Sequence, residues 1–298
     1  MRVYVTAGRW LLIFFASAIG SDMSQAGEAT WPQWQGTQRD NISTETALLK
    51  VWPEGGPTLL WTASGCGKGY SSVAVKDQTI YTAGTTNGET FVTAFDLAGR
   101  TKWRSPNGKW WQADPKMTWA RSYGGARGTP TVNDGLVYHL NETGGLSAFD
   151  ARTGTVVWSL DVSRKFEAKC PDYGYTESVL IDGDRLICCP GGAKGFMVAL
   201  DKKTGSNMWV NTELTEGVGF ASPILADDKG VRQIITLTEE NLIGVDVSAG
   251  KLLWRYPFTN KRKNNYGAAN EKPAWVCLDF ETGQRRYRER GIGMGSVT

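Results

Sequence analysis

A lone histidine, His139, and five cysteines bound the chemistry this 298-residue chain can carry. One histidine excludes any metal site built on two, and it allows a Ser-His-Asp triad only with His139 as the base. His139 itself reads as a hydrogen-bonded strand residue. Cys66, Cys170, Cys188, Cys189 and Cys277 show no C-x-x-C spacing of the metal type, and an odd number is not a disulfide framework. The pair Cys188-Cys189 lies in the apolar run Arg185-Leu-Ile-Cys-Cys-Pro190, where successive side chains face opposite sides of a strand. Two readings stay open there: a pair of inert strand residues, or a strained vicinal disulfide with a redox or cofactor role. The other chemistry-bearing groups are flat rings beside charges. Trp110, Trp111, Trp119 and Tyr123 lie among Lys109, Lys116 and Arg121 in a loop read over 104–126, while Tyr70, Arg127, Tyr175 and Glu177 fall on segments that read as channel-lining strands. Such rings suit stacking against a sugar ring, a quinone or a peptide side chain, and they equally serve to pack a loop. Trp110, Trp111, Trp119, Arg127, Tyr175 and Glu177 are therefore binding candidates, with no catalytic residue and no metal ligand set assigned.

The elements that must position these groups form a repeat. Aspartate, glycine and an aromatic residue recur as Asp96-Gly99-Trp103, Asp150-Gly154-Trp158, Asp201-Gly205-Trp209, Asp246-Gly250-Trp254 and Asp279-Gly283-Tyr287. The first three Asp-to-Asp intervals fall near the roughly 40–50-residue period of a four-stranded propeller blade. Aspartate accepts from the backbone N–H groups of a turn, and glycine supplies the positive φ of a tight connection. Each tryptophan is then predicted to dock between neighbouring sheets, which makes the aspartates turn residues and not catalytic acids. Upstream of each hairpin stands an apparent first strand, as in Gly69-Tyr-Ser-Ser-Val-Ala-Val75, Gly128-Thr-Pro-Thr-Val132, Gly174 to Ile181 and Gly219 to Leu225, followed by turns such as Asn133-Asp134-Gly135. Two hairpins per repeat predict an all-β chain of four-stranded antiparallel blades.

Net charge is +3, and the basic runs Lys261-Arg262-Lys263 and Arg285-Arg286 with Arg288 and Arg290 read as solvated faces, so nucleic acid is not an expected partner. Arg2 and Arg9 precede the apolar run Trp10 to Ile19 and the small-residue site Ser24-Gln25-Ala26. This is the pattern of an export leader over residues 1–26, too short to span a bilayer, and no later segment is a transmembrane candidate. The mature chain is expected in the periplasm or outside the cell.

Ala148 to Trp158 and Ala199 to Trp209, of the form Ala-x-Asp-x-x-Thr-Gly-x-x-x-Trp, resemble the tryptophan-docking motif of the PQQ-like, or quinoprotein alcohol dehydrogenase-like, β-propellers. Trp31-Pro-Gln-Trp-Gln-Gly36 with Arg39-Asp40, Trp52 to Pro57, Leu60-Trp61, Glu177-Ser178 and Cys189-Pro-Gly-Gly192 are similar to exported bacterial members. The resemblance implies a propeller over residues 27–298 and two classes of function. One is a non-catalytic scaffold that binds a partner protein or small ligand on one face. The other is a PQQ-dependent alcohol dehydrogenase, in which calcium held by Glu, Asn and Asp polarises a quinone stacked between a tryptophan and a vicinal disulfide. Cys188-Cys189 matches that disulfide only as a dipeptide, and Glu177 comes without assignable Asn and Asp partners. The scaffold reading leads, with the dehydrogenase as the alternative.

Relatives of this kind close with seven or eight blades. Here Arg255 to Trp275 carries no first-strand signature and no Asp-Gly turn. The expectation is about four complete blades, incomplete repeats over 256–298 with a remnant hairpin near Asp279 to Tyr287, and an open arc whose exposed edges invite self-association.

Overall fold

The computed structural model describes residues 30–46, 48–116, 124–228, 230–257, 274–278 and 285–290. The expected leader, Trp119, Arg121, Tyr123 and Asp279 lie outside them.

Four antiparallel sheets of four strands follow one another along the chain. The first blade comprises β1 (Ala74–Lys76), β2 (Thr79–Thr86), β3 (Glu89–Asp96) and β4 (Thr101–Lys109). The second comprises β5 (Thr131–Asn133), β6 (Leu136–Leu140), β7 (Gly145–Asp150) and β8 (Val156–Asp161), the third β9 (Leu180–Asp182), β10 (Arg185–Cys188), β11 (Met197–Asp201) and β12 (Asn207–Asn211). The fourth holds β13 (Ile224–Asp228), β14 (Val231–Leu237), β15 (Asn241–Asp246) and β16 (Leu252–Pro257). A two-stranded sheet of β17 (Ala274–Leu278) and β18 (Arg285–Arg290) comes last. One short helix, α1 (Val162–Lys165), starts where Asp161 accepts from the Arg164 N–H.

Local chemistry explains the strand ends. Two-residue turns with both φ values positive join β1 to β2 at Asp77-Gln78, β2 to β3 at Asn87-Gly88, and β5 to β6 at Asp134-Gly135. Such turns match the right-handed twist of the flanking strands. The register slips by one residue between Ala94 and Phe95, Ala148 and Phe149, Ala199 and Leu200, Gly244 and Val245, and Cys277 and Leu278. A bulge at the same place in all five hairpins makes β17 and β18 the third and fourth strands of a fifth repeat.

The turn aspartates accept from their own turns. Asp150 Oδ1 takes the N–H groups of Arg152 and Thr153 and the Thr153 hydroxyl, Asp201 does the same with Lys203 and Thr204, Asp96 accepts from Ala98 and Arg100, and Asp246 from Ala249. These donors hold all four carboxyls below the usual carboxylate range. Trp103, Trp158 and Trp209 cross to the next blade, where they meet Gly154, Gly205 and Gly250. Trp254 is buried, and its Nε1 donates to Gln233 Oε1 in its own blade, beside Gly244.

The core sits between consecutive blades. Leu186 and Cys188 of β10 point to the cluster shared with the second blade, whereas Ile187 and the following Cys189 point to the cluster shared with the fourth. Alternation of side chains along one strand thus feeds two interfaces.

Two expectations need correction. Residues 104–109 are not loop, because β4 runs to Lys109. The first strands also begin later than predicted: regular pairing starts at Ala74, Thr131, Leu180 and Ile224, and before them Ser72, Thr129 and Ser178 turn their N–H groups to the neighbouring blade.

Candidate functional site

A first strand has one edge paired within its blade and one edge free, and here hydroxyls satisfy the free edge. The Ser72 N–H donates to Thr129 Oγ1 (3.1 Å), that of Thr129 to Ser178 Oγ (2.9 Å), and that of Ser178 to Ser222 Oγ (2.9 Å). This belt ties four blades in one register. Two residues upstream of its members stand Tyr70, Arg127, Thr176 and Phe220, which therefore occupy equivalent positions around the N-terminal ends of the inner strands.

Arg127 is surrounded by rings. Its guanidinium carbon lies 5.3 Å from the Trp111 ring centroid, 5.7 Å from Tyr70 and 5.9 Å from Tyr173. Tyr173 packs at 6.4 Å from Trp111, and Phe220 meets it edge-on at 5.5 Å. Trp111 and Tyr173 are buried, while Tyr70 is 58% and Phe220 36% exposed. Below them lies the buried carboxyl of Glu142. Its Oε2 accepts from Thr90 Oγ1 at 2.8 Å, and its Oε1 has no hydrogen-bond partner among the described residues. Burial pushes this carboxyl upward, opposed by the Thr90 hydroxyl and by the Arg127 charge. Cation–π contact and desolvated charge make the rim suited to gripping a flat or anionic group.

The inner strands are also held by the N-terminal segment. Trp31 bridges Val75, the Pro32 carbonyl accepts from the Val132 N–H, and Arg39 reaches two further blades. Arg39 Nη1 donates to the carbonyls of Ser178 (3.0 Å) and Pro223 (2.7 Å), Nη2 to Val179, and Nε to Gln33 Oε1 (2.9 Å). Burial lowers Arg39 to about 10, opposed by the charge of Glu177.

The remaining sequence candidates are spread through the fold. Trp110 packs beside Gly88 and Gly124, with its N–H donating to the Gly88 carbonyl. Tyr175 and Glu177 do not offer their polar atoms to a ligand: the Tyr175 hydroxyl donates to the Pro190 carbonyl at 2.8 Å, and both Glu177 oxygens accept from the Cys189 N–H at 3.1 and 3.2 Å. Burial raises Glu177 to about 7, with the Cys189 donor and Arg39 pulling it down. His139 accepts from Asn107 Nδ2 at Nδ1 (2.8 Å), which assigns the proton to Nε2, the donor to the Gly128 carbonyl (3.1 Å). Burial lowers it to about 4.

A quinone and calcium, as in the dehydrogenase branch, do not fit the residues present. Cys188 and Cys189 are free thiols turned to opposite core clusters, so no disulfide platform faces the channel. Glu177 is spent on the Cys189 backbone, and no group of three His, Cys, Asp or Glu side chains able to hold a metal stands beside it among the described residues. Glu142, Tyr173 and Phe220 escaped the sequence reading as site residues, and Arg39 and Trp61 entered it only through the family resemblance. Trp61 alone had a signal, an apolar-tryptophan pair like the docking ones, but it has no Asp-Gly turn before it.

The profile of a family described as outer membrane protein assembly factor BamB matches residues 50–163 and 87–279. The outer membrane protein assembly factor BamB of Shewanella oneidensis is 28% identical over 150 residues, 48% of this chain and 37% of that protein. The quinoprotein ethanol dehydrogenase of Pseudomonas aeruginosa is 24% identical over 181 residues, 55% of this chain and 28% of its own length. The chain thus spans well under half the length of either. Among solved structures, BamB from Moraxella catarrhalis superposes with a TM-score of 0.54 at 15% identity, covering 78% of this chain and 68% of that one. The quinohemoprotein alcohol dehydrogenase of Comamonas testosteroni gives 0.56 at 17% identity over 88% and 46%. Together with four blades, repeated bulges and docked tryptophans, these matches place the chain in the PQQ-like β-propeller repeat family, to which the BamB assembly factors belong.

Proposed function

We propose that the chain is an exported, non-catalytic β-propeller that captures a partner protein or small ligand on the rim formed by Tyr70, Trp111, Arg127, Tyr173 and Phe220. The observation that carries this reading is the Arg127 guanidinium held 5.3–5.9 Å from three rings, with Tyr70 and Phe220 partly open to solvent. A charge supported by aromatic faces binds without needing to transfer protons or electrons. The groups that could do such chemistry, His139, Glu177 and the adjacent thiols, are committed to the interior. No helix among the described residues is long and apolar enough to cross a membrane. Export itself is tested by sequencing the mature N-terminus, which is expected to begin at Gly27.

The site is tested by placing a photo-reactive residue at position 70 and irradiating cells that export the chain. A discrete adduct that Arg127→Met abolishes, without loss of folding, is the expected result. In parallel, purified protein receives PQQ and Ca²⁺ while absorbance, melting temperature and dye-linked alcohol oxidation are followed. A cofactor spectrum with turnover would overturn the scaffold reading in favour of a PQQ-dependent alcohol dehydrogenase.

A further inference from the structure

The two open rings of the rim come from different blades. Tyr70 lies on the segment leading into the first blade and Phe220 on that leading into the fourth, two residues upstream of Ser72 and Ser222 of the hydroxyl belt. Between them runs an unbroken row of flat groups. The Tyr70 ring and the Arg127 guanidinium are 5.7 Å apart, Arg127 and the Tyr173 ring 5.9 Å, and Tyr173 and Phe220 5.5 Å. Each step is close to the length of one pyranose unit.

The charges along this row have opposite signs. Arg127 is a cation, and within reach of its charge lies the Glu142 carboxyl, whose residue is 1% exposed. Thr90 donates to its Oε2, and its Oε1 has no hydrogen-bond partner among the described residues. A buried acceptor left in that state costs free energy until a donor reaches it. An anion at the rim gains Arg127 but meets Glu142, and a cation gains the carboxyl and the ring faces but meets Arg127. The group that both charges accept is uncharged and carries donors and acceptors side by side. The open rings add a second requirement, an apolar face to lie against them. A sugar ring meets both, because its C–H face stacks on an aromatic plane while its hydroxyls give and take hydrogen bonds at the edge.

We propose that the rim takes a neutral oligosaccharide of about four units, stacked on Tyr70 at one end and Phe220 at the other, with Arg127 donating to its hydroxyls and the unpartnered Glu142 oxygen as the acceptor beside it. This rests on the rim being the binding face and narrows its ligand to a carbohydrate. Trp111 and Tyr173, both buried, hold the guanidinium in the row. The length of the ligand follows from the steps that separate the two open rings.

The test is calorimetric titration of the whole chain with the neutral tetramers cellotetraose, mannotetraose and chitotetraose, beside two charged ones, tetragalacturonate and the fully deacetylated chitosan tetramer. Saturable binding of at least one neutral tetramer is expected, with the charged tetramers and the corresponding neutral disaccharide about tenfold weaker. Tyr70→Ala is expected to weaken binding about tenfold at an unchanged melting temperature, the ring being exposed. Tyr70→Phe is expected to keep it, since stacking uses the face of the ring and not its hydroxyl. No binding of any neutral tetramer at millimolar concentration, preference for a charged one, or binding indifferent to Tyr70→Ala would overturn the proposal. The rim itself is judged separately. A photo-adduct from position 70 to a protein, together with no sugar binding, strikes the carbohydrate and leaves the rim, whereas the absence of any adduct as well strikes both.

Discussion

The Nε1 of Trp158 donates to the Lys202 carbonyl at 2.9 Å, so a fourth strand of one blade is pinned to the first turn residue of the next. The same indole stands 2.9 Å from where a Cβ on Gly205 would be, and Gly205 has a φ of +71°. Trp158→Ala removes a half-buried ring and a hydrogen bond and is expected to cost about 3 kcal/mol. Gly205→Ala combines left-handed strain with a clash against the ring, for an expected loss of about 2 kcal/mol. Urea denaturation measures both. Parent-like midpoints would remove the docking role from this pair.

Arg39 carries the fork that joins the starts of two inner strands, and its partners are carbonyls 139 to 184 residues away. Arg39→Met removes the guanidinium donors of the Ser178 and Pro223 carbonyls, while Val179 keeps the Thr131 hydroxyl, and is expected to destabilise by about 3 kcal/mol. Arg39→Lys is expected to recover little, because one ammonium cannot reproduce a planar fork spanning two blades. Chemical denaturation of both variants decides this, and full rescue by lysine would show that charge alone matters.

Stability is expected to peak between the titrations of two buried groups. Burial raises Glu177 to about 7 in the fold from its ordinary 4.5, so the folded chain holds a proton the unfolded chain releases. Its contribution is complete below pH 4.5 and is lost as pH rises through 7. His139 is lowered to about 4 from 6.5, so its contribution is complete above pH 6.5 and is lost as pH falls through 4. Melting temperature against pH is therefore expected to be dome-shaped, highest between about 5 and 6. Glu177→Gln should flatten the alkaline limb and leave the acid limb in place. An unchanged alkaline limb in that variant would assign it to another group.

The thiols of Cys188 and Cys189 are buried, and burial pushes both well above the ordinary thiol value. Iodoacetamide with peptide mapping is expected to leave them unmodified in the native chain and to label both after unfolding, since the thiolate is the reactive form. Native labelling of either, or a mass two hydrogens short across the pair, would restore the vicinal disulfide.

Much of the scaffold was legible in local chemistry. Asp150, Gly154 and Trp158 lie within nine residues of one another, and a carboxylate that caps its own turn, a glycine with positive φ and a ring beyond it act over that distance. Repetition of this unit announced four-stranded blades, and the alternation through Leu186 to Cys189 announced a strand buried on both faces. What the sequence could not determine is which distant segments meet. Tyr70, Trp111, Arg127 and Tyr173 converge because a belt of hydroxyls sets the blades in register, and no spacing within the chain encodes that meeting. The same holds for Glu177, which reads as a channel acid but folds onto the Cys189 N–H, and for Trp61, whose role appears only once Gly99 lies beneath it. Turn and strand preferences act over a few residues and repeat visibly. Contacts between blades depend on how the sheets pack, and packing was decided by the tertiary structure alone.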